Sequence, residues 1–550
     1  MISYLKDCVS ESLQDYPYCI IGSGAAGISL AIALIRKGHR VLLIDSGDWH
    51  EDAALDDAYT GHADAPHPAT TEYRRQRFGG TTHLWGGRCV PLDAIDINVR
   101  AHVPNSGWPI ELQEIEDYYP EAMSYCDAGV ADFTINALAG NAAPMFDELP
   151  NLQPHLQERI ERYSLPTDFS KKYKNELSSS KLAQVLLRAR CTKLNLTDQD
   201  NRVTSIEVTD GLHKLTINAA NFILCGGGIE TTRLLLSTRA HAPNWARFDP
   251  ALGKFYGCHY DLIFGDLSFS GKKPFFDFKK TKDGVYARRK LQFSQAFQAE
   301  HGLLNSVFRL HFPAYADAGH GSGVLSTIYL AKSILASEHQ SILNHGASSG
   351  NKINNSSLAH IKNVATDIGS VFSFGYDYIF KMKLAERRLP YTLVPNRNGS
   401  YPLEFNSEQV PDASNKITLL DQVDAQGMPR VSVHWKLTET DIASGVESFI
   451  QLQRLLATTQ ACKLAFDYGE LKERISGALP VGGHHIGTTK MGSSAQNSVV
   501  DKNCQLHGVA NLFVASASVF PTNSHANPTL TIIALALRLA NYLDRTMVAR

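Results

Sequence analysis

The stretch Tyr18-Cys-Ile-Ile-Gly22-Ser-Gly-Ala-Ala-Gly27 decides the fold. A short apolar run ends at Ile21, and a Gly-x-Gly-x-x-Gly turn follows it. Apolar residues then recur at helical spacing from Ile28 to Ile35, and Gly38 closes the helix. Val41 to Ile44 is a second apolar run, with Asp45 and Ser46 at its end. Strand, turn, helix and strand take about 30 residues, the length of a mononucleotide-binding unit. Gly22 permits the tight turn, Gly24 leaves room for a pyrophosphate, and Gly27 lets the helix pack on the strand. The first helical residues, Ala25 and Ala26, present free N–H groups and a partial positive charge to phosphate. Asp45 is placed to accept hydrogen bonds from an adenosine ribose. The turn alone does not separate FAD from NAD.

Composition bounds the rest. The chain has 550 residues, with Lys+Arg 53 against Asp+Glu 55 and a formal net charge of −2. Hydrophobic residues at 43% and charged residues at 20% are globular values, which excludes wholesale disorder and coiled coil. The near-neutral balance argues against a nucleic-acid partner. Nine cysteines are scattered without a C-x-x-C pair or any metal-site spacing, so no metal is expected and a reducing compartment is. Residues 1–18 carry no apolar export signal, and the longest apolar stretch, Thr529 to Leu537, is too short to cross a bilayer. The expectation is a soluble cytoplasmic protein with no membrane span.

Further along, Gly79-Gly-Thr-Thr-His-Leu-Trp-Gly-Gly87 is a glycine-rich island. Phe222 to Cys225 is a strand that runs into Gly226-Gly-Gly228 and a helix from Ile229 to Leu236, a second strand–glycine–helix junction. Residues 265–465 mix loop with strands at Leu291–Phe297 and Val431–Trp435, and Ser341 to Ser357 reads as a flexible loop or lid. A helix is expected from Pro528 to Leu543. Arg74, Arg75 and Arg77 read as a solvated face or as phosphate neighbours rather than an RNA site.

Four segments in order, Ile20–Ser46, Gly79–Gly87, Phe222–Leu236 and Gly482–Leu537, resemble the glucose–methanol–choline (GMC) family of flavin oxidoreductases, most closely bacterial sugar- and alcohol-oxidising members. The resemblance implies an α/β fold: a Rossmann-like FAD-binding domain built from 1–100, 186–265 and 466–550, plus an α+β substrate domain with a large antiparallel sheet from 101–185 and 266–465. It implies FAD lying along Gly79, Gly80, Thr81, Thr82, His83, Leu84, Trp85, Gly86 and Gly87. Backbone contacts are implied from Cys191, Gly226, Gly227, Ser516 and Ala517, and further contacts from Asn527, Pro528 and Thr529. Some members tether the flavin to a histidine where this chain has Leu84, with His83 offset by one, so non-covalent FAD is expected.

Gly482-Gly-His-His-Ile-Gly-Thr-Thr-Lys-Met-Gly492 is similar to the family segment that carries the catalytic histidine, which falls on His484. A neutral imidazole suits removal of a hydroxyl proton. In Ser524-His-Ala-Asn-Pro-Thr-Leu-Thr531, Asn527 falls at the second active-site position, where its amide donates to the substrate oxygen; it also suits a helix cap. His485 and His525 are lower-ranked site residues. The resemblance thus implies oxidation of a CH–OH group, of a sugar or sugar-like alcohol, by hydride transfer to flavin N5. The electron acceptor has no sequence signature. A non-redox lyase on the same scaffold, a NAD-binding reductase and a silent flavoprotein stay open.

Overall fold

The computed structural model describes residues 1–8, 13, 16–140, 143–334, 355–391, 393–394 and 399–548. Its central element is a six-stranded, all-parallel sheet in the order Ile2–Tyr4, Ala183–Leu187, Val41–Ile44, Tyr16–Ile21, Ala219–Leu224, Leu512–Val514. Val41–Ile44 is buried along its whole length, as a strand covered on both faces must be. The helix Ala25–Arg36 leaves the central strand directly after the glycine turn. Every residue from Ala26 to Ile35 is buried, because the helix lies between the sheet and the last helix, Thr529–Val548. Gly38 ends it in the left-handed region at φ +89. The second junction is of the same kind: Ala219–Leu224 pairs in parallel with Tyr16–Ile21 and feeds the helix Gly227–Arg239. The carboxyl ends of the two neighbouring strands therefore open side by side, where ligands of open α/β sheets bind.

A second, nine-stranded sheet is built mainly from antiparallel strands: Cys462–Ala465, Tyr260–Phe269, Ser400–Ser407, Ser306–Leu310, Tyr286–Phe293, Leu156–Tyr163 and Arg88–Cys89 along its main path. One face is apolar. Phe264, Phe308 and Phe405 pack against Phe449 of the helix Glu439–Leu456. The opposite face is charged and nonetheless buried. The register sets Arg288 across from Glu161 and Arg309 across from Glu404. Arg309 bonds Glu161 at 2.5 Å and Glu404 at 3.1 Å, and Arg288 bonds Glu404 at 2.8 Å. The alternation of side chains along each strand collects these ions on one side, and each carboxylate offsets the burial of a guanidinium.

The α/β fold class stands as expected from the sequence, with a parallel sheet and a large antiparallel one. Two of the four expected segment boundaries fall inside elements. Residue 186 lies within the strand Ala183–Leu187, and residues 265–266 lie within Tyr260–Phe269. Arg88–Cys89 and Leu479–Pro480 pair with the antiparallel sheet although they sit in segments assigned to the other unit. The strand expected over Leu291–Phe297 is the strand Tyr286–Phe293 followed by a helix, Gln295–His301. Ser294 caps that helix through its hydroxyl, which accepts from the Phe297 N–H, so the apolar alternation breaks there. The loop or lid expected over 341–357 lies mostly outside the described residues; Ser357 opens the helix Ser357–Thr366.

Candidate active site

The first wall of the site is the glycine turn. Gly22 has φ +106, and a Cβ there would stand 2.6 Å from the Cys225 carbonyl oxygen. Gly27 is tighter still: a Cβ would stand 1.9 Å from the Gly22 carbonyl oxygen. These two glycines let the helix and both strands meet. Gly24 differs, since its Cβ would meet nothing within 4 Å. It faces a cavity lined also by Gly22, Ala25, Ala26, Asp45, Ser46, Gly80, Thr81, Thr82, Trp85, Cys191, Gly226, Gly227, Ser516, Ala517, Pro528 and Thr529. The cavity runs on to His484 and His485. Gly227, at φ +76, is also open on its Cβ side. Two backbone turns, each opening a helix, thus offer bare N–H groups to the same space, a favourable setting for phosphate.

Asp45 is buried at the rim and already engaged. Its Oδ2 accepts from the Ser23 amide at 2.7 Å and the Ser23 hydroxyl at 2.6 Å, and its Oδ1 accepts from the Gly47 amide at 2.7 Å. Ser23 Oγ in turn accepts from the Gly79 amide at 3.0 Å. The acid therefore ties the first glycine turn to the second glycine-rich loop. An ionised carboxylate offers about four acceptor positions, so Oδ1 retains capacity for a ligand hydroxyl. Burial is the largest influence on the group and raises its pKa.

The His484 end of the cavity is assembled by a pairing that no single segment reveals. Gly257 and Ile486 exchange backbone hydrogen bonds of 3.1 and 3.0 Å in an antiparallel bridge. That register sets His259 directly across from His484, and their rings meet edge to face at 4.5 Å between centroids. Gly487, at φ +87, makes the turn; a Cβ there would stand 2.1 Å from the Phe255 carbonyl oxygen. His259 is 1% exposed, and its Nδ1 bonds the Ser524 carbonyl at 2.8 Å. Ser524, at φ +53, precedes the loop that carries Asn527. One buried imidazole thereby fixes the strand of His484 to the loop of Asn527.

His484 Nε2 lies 3.3 Å from Asn527 Nδ2. Two polar atoms at that separation can both reach one oxygen at hydrogen-bond distance. The other ring nitrogen, Nδ1, is buried and has no partner. Burial first, then the neighbouring His259, His485 and Arg88, holds the His484 pKa well below the ordinary 6.5. Burial likewise holds His259 at about 3. The imidazole beside Asn527 is therefore neutral near pH 7, with a ring nitrogen free to accept a proton.

His485 also stands in the cavity wall, but its Nε2 donates to the Gly482 carbonyl at 2.9 Å and its ring stacks over Tyr256. His525 is outside the cavity wall. It is 1% exposed, and its Nε2 lies 3.3 Å from Gln292 Nε2, 3.4 Å from Lys290 Nζ and 3.5 Å from Asp93. Burial, then the Lys290 charge, holds it at about 4. His83 also turns away: its Nδ1 bonds the Gly80 carbonyl at 2.7 Å and its Nε2 meets Glu51 at 3.1 Å. Leu84 is 45% exposed, and Gly79, Gly86 and Gly87 stand outside the wall. Gly79 and Gly87 instead allow close packing, since Cβ atoms there would meet Ser170 Cβ and Ser164 Oγ at 2.9 Å each.

Several wall residues had no signal in the sequence. Tyr59 and Glu230 line the cavity together with Arg74, Arg75 and Arg77. The Arg74 guanidinium lies 3.9 Å over the Tyr59 ring and bonds Glu230 at 2.7 Å. The basic cluster is thus at the cavity, where a phosphate neighbour was one of its two readings. Among the described residues, no group of three or more His, Cys, Asp or Glu side chains is arranged to hold a metal, and no helix is long and apolar enough to cross a membrane.

Comparison with known proteins bears on the same segments. A family model described as GMC oxidoreductase matches residues 411–536. The chain is 35% identical over 142 residues to 2-methyl-1,2-propanediol dehydrogenase of Mycolicibacterium austroafricanum, covering 25% of this chain and 24% of that protein. The chain thus spans about a quarter of the length of the first curated relatives it matches. With paromamine 6'-oxidase of Streptomyces fradiae the match is 23% identity over 581 residues, covering 96% of this chain and 92% of that one. Among solved structures, an FAD-dependent oxidoreductase from Chaetomium thermophilum superposes with a TM-score of 0.54 at 12% identity, covering 97% of this chain and 100% of that chain. That likeness is one of fold.

Proposed function

We propose that this chain, whose residues 411–536 match a GMC oxidoreductase family model, oxidises a CH–OH group of a sugar or sugar-like alcohol to a carbonyl, with FAD held non-covalently in the cavity and His484 as the base. The observation that carries this reading is the approach of Asn527 Nδ2 to within 3.3 Å of Nε2 of His484, a neutral imidazole in the wall of the cavity that the glycine turn also lines; Asn527 itself stands just outside that wall, next to Pro528.

The residues present fit such a cofactor. Gly24 and Gly227 leave their Cβ space open, and the helix Ala25–Arg36 points its N-terminus at that space. Arg74, Arg75 and Arg77 add positive charge to the wall, and Asp45 and Ser46 supply acceptors at its ribose end. His83 is engaged with Gly80 and Glu51, which supports a cofactor without a histidine tether. When bound, FAD supplies the two-electron acceptor for the hydride that leaves the alcohol carbon.

The chain's own part is proton handling and orientation. His484 Nε2 takes the hydroxyl proton, and Asn527 Nδ2 donates to the same oxygen as negative charge grows on it. His259 packs edge to face on the His484 ring, and with burial it lowers the His484 pKa, which preserves the neutral form. The relatives named for a propanediol and for paromamine support an alcohol-bearing substrate. Anaerobic mixing of the purified protein with a panel of sugars, amino sugars and aliphatic alcohols tests the reading. At least one sugar-like alcohol bleaches the flavin absorbance. If dithionite bleaches it and no alcohol does, oxidation of CH–OH is not the reaction.

A further inference from the structure

The helical segment Ser357–Thr366, Ile368–Asp377 and Tyr378–Lys383 carries its polarity inside out. The side turned to the protein is polar. His360 is fully buried, with Nδ1 3.0 Å from the Ser326 hydroxyl, and its ring stacks on Tyr329. Asn363 donates to the Ala318 carbonyl at 2.8 Å, and Asp367 accepts from the Gly323 amide at 2.9 Å. The side turned to solvent is apolar. Leu358, Ile361, Ala365, Ile368 and Phe372 follow one another at steps of three and four, and Tyr376, Ile379, Phe380 and Leu384 continue the stripe. Phe372 is 75% exposed and Leu384 70%. An apolar stripe carried over three consecutive helical elements is far more than the scattered apolar residues of an ordinary surface.

The charges beside the stripe select its occupant. Lys362, Lys381, Lys383 and Arg388 are exposed, against one exposed acid, Glu386. Asp367 is buried, and Asp377 is paired with Lys381 at 2.7 Å. With the Lys381–Asp377 pair set aside, Lys362, Lys383 and Arg388 still outnumber Glu386, a positive local excess where the chain as a whole carries −2. A second copy is a poor cover. Pairing two such stripes sets Lys381, Lys383 and Arg388 against their like or against Lys362. Aromatic and aliphatic side chains flanked by lysine and arginine are instead what a helix lying in the plane of an anionic bilayer carries. With no described helix able to cross a membrane, contact through this segment would be one of lying on the surface.

We propose that the outward face of residues 358–384 seats the protein on an anionic lipid surface. Phe372, Tyr376, Ile379 and Phe380 enter the headgroup–acyl boundary, and Lys381, Lys383 and Arg388 meet the phosphates. The inference does not depend on the oxidoreductase reading.

Flotation of the full-length protein with vesicles tests it. The protein rises with vesicles of phosphatidylcholine mixed with phosphatidylglycerol, binds pure phosphatidylcholine at least about tenfold more weakly, and is released by high salt. The F372S/I379S/F380S variant, checked by its far-UV spectrum, stays at the bottom of the gradient. The K381Q/K383Q/R388Q variant, which leaves the apolar stripe intact, loses affinity on the order of 100-fold. Wild-type protein that fails to rise with anionic vesicles overturns the proposal, as does F372S/I379S/F380S protein that floats like wild type. Light scattering that reports a dimer dissolved by F372S/I379S/F380S, without vesicle binding, assigns the face to a second copy and overturns it as well.

Discussion

Replacing His484 by alanine lowers kcat for alcohol oxidation by about 10² to 10⁴ fold, the usual worth of a positioned base, while the protein keeps its cofactor and fold. The His484 ring lines the cavity and meets Asn527, not the glycine turn, so binding and proton removal separate in this variant. Its pH profile carries more information than its rate. Burial, His259, His485 and Arg88 hold His484 well below 6.5. A histidine with a lowered pKa stays neutral, and so stays a base, as the pH falls through 6.5. The acid limb of kcat/KM in the wild-type protein therefore lies below 6.5, and it vanishes from the residual rate of H484A. A wild-type limb at or above 6.5 contradicts a neutral imidazole with a lowered pKa at this position. Steady-state kinetics between pH 4 and 8, with flavin content measured in parallel, decides the matter.

The second large effect is a contrast between two glycines three residues apart. Gly27→Ala places a methyl group 1.9 Å from the Gly22 carbonyl oxygen and 3.0 Å from its carbon, both backbone atoms of a turn that is itself wedged against Cys225. No side chain can swing aside, so the helix must leave the strand. Overpacking of this kind costs about 3 kcal/mol or more, and the variant is recovered poorly or melts well below wild type. Gly24→Ala meets nothing within 4 Å, and its φ of −67 and ψ of −169 suit any residue. This variant melts like the wild-type apoprotein. Its methyl group occupies the space that the pyrophosphate needs, and cofactor affinity falls by about tenfold to a hundredfold, the equivalent of about 1–3 kcal/mol. Thermal melts of both apoproteins and a cofactor titration of G24A measure the two outcomes. Equal damage to stability from both substitutions would remove the distinction between a packing glycine and a ligand-facing one.

What the sequence displays, and what it hides, follows from the range of the interactions. The turn at Gly22–Gly27, the helix to Arg36 and the strand at Val41 are legible because glycine placement and apolar period act over a few residues. His484 is legible for the same reason, in a glycine-rich stretch of eleven residues. His259 is not, because it reaches His484 through the Gly257–Ile486 bridge between distant segments. The run Arg288-Arg289-Lys290 carries three positive charges in a row, yet all three residues are buried. The carboxylates that neutralise them come from other parts of the chain: Glu404 for Arg288, Glu158 for Arg289, and Glu161 as the main charge drawing on Lys290. Asp45 shows the intermediate case. Its place at the end of Val41–Ile44 is visible in the sequence, but the bonds to Ser23 and Gly47 that make it a staple of the glycine turn emerge only in the fold.

The central claim is that the cavity between the two glycine junctions holds a flavin dinucleotide without a covalent bond. Acid precipitation of the purified protein, with chromatography of the supernatant, tests it most directly. The supernatant is yellow and contains FAD in roughly one-to-one ratio with the chain, over a colourless pellet. A yellow pellet, a released nicotinamide dinucleotide, or a protein that neither carries FAD nor takes it up would contradict it.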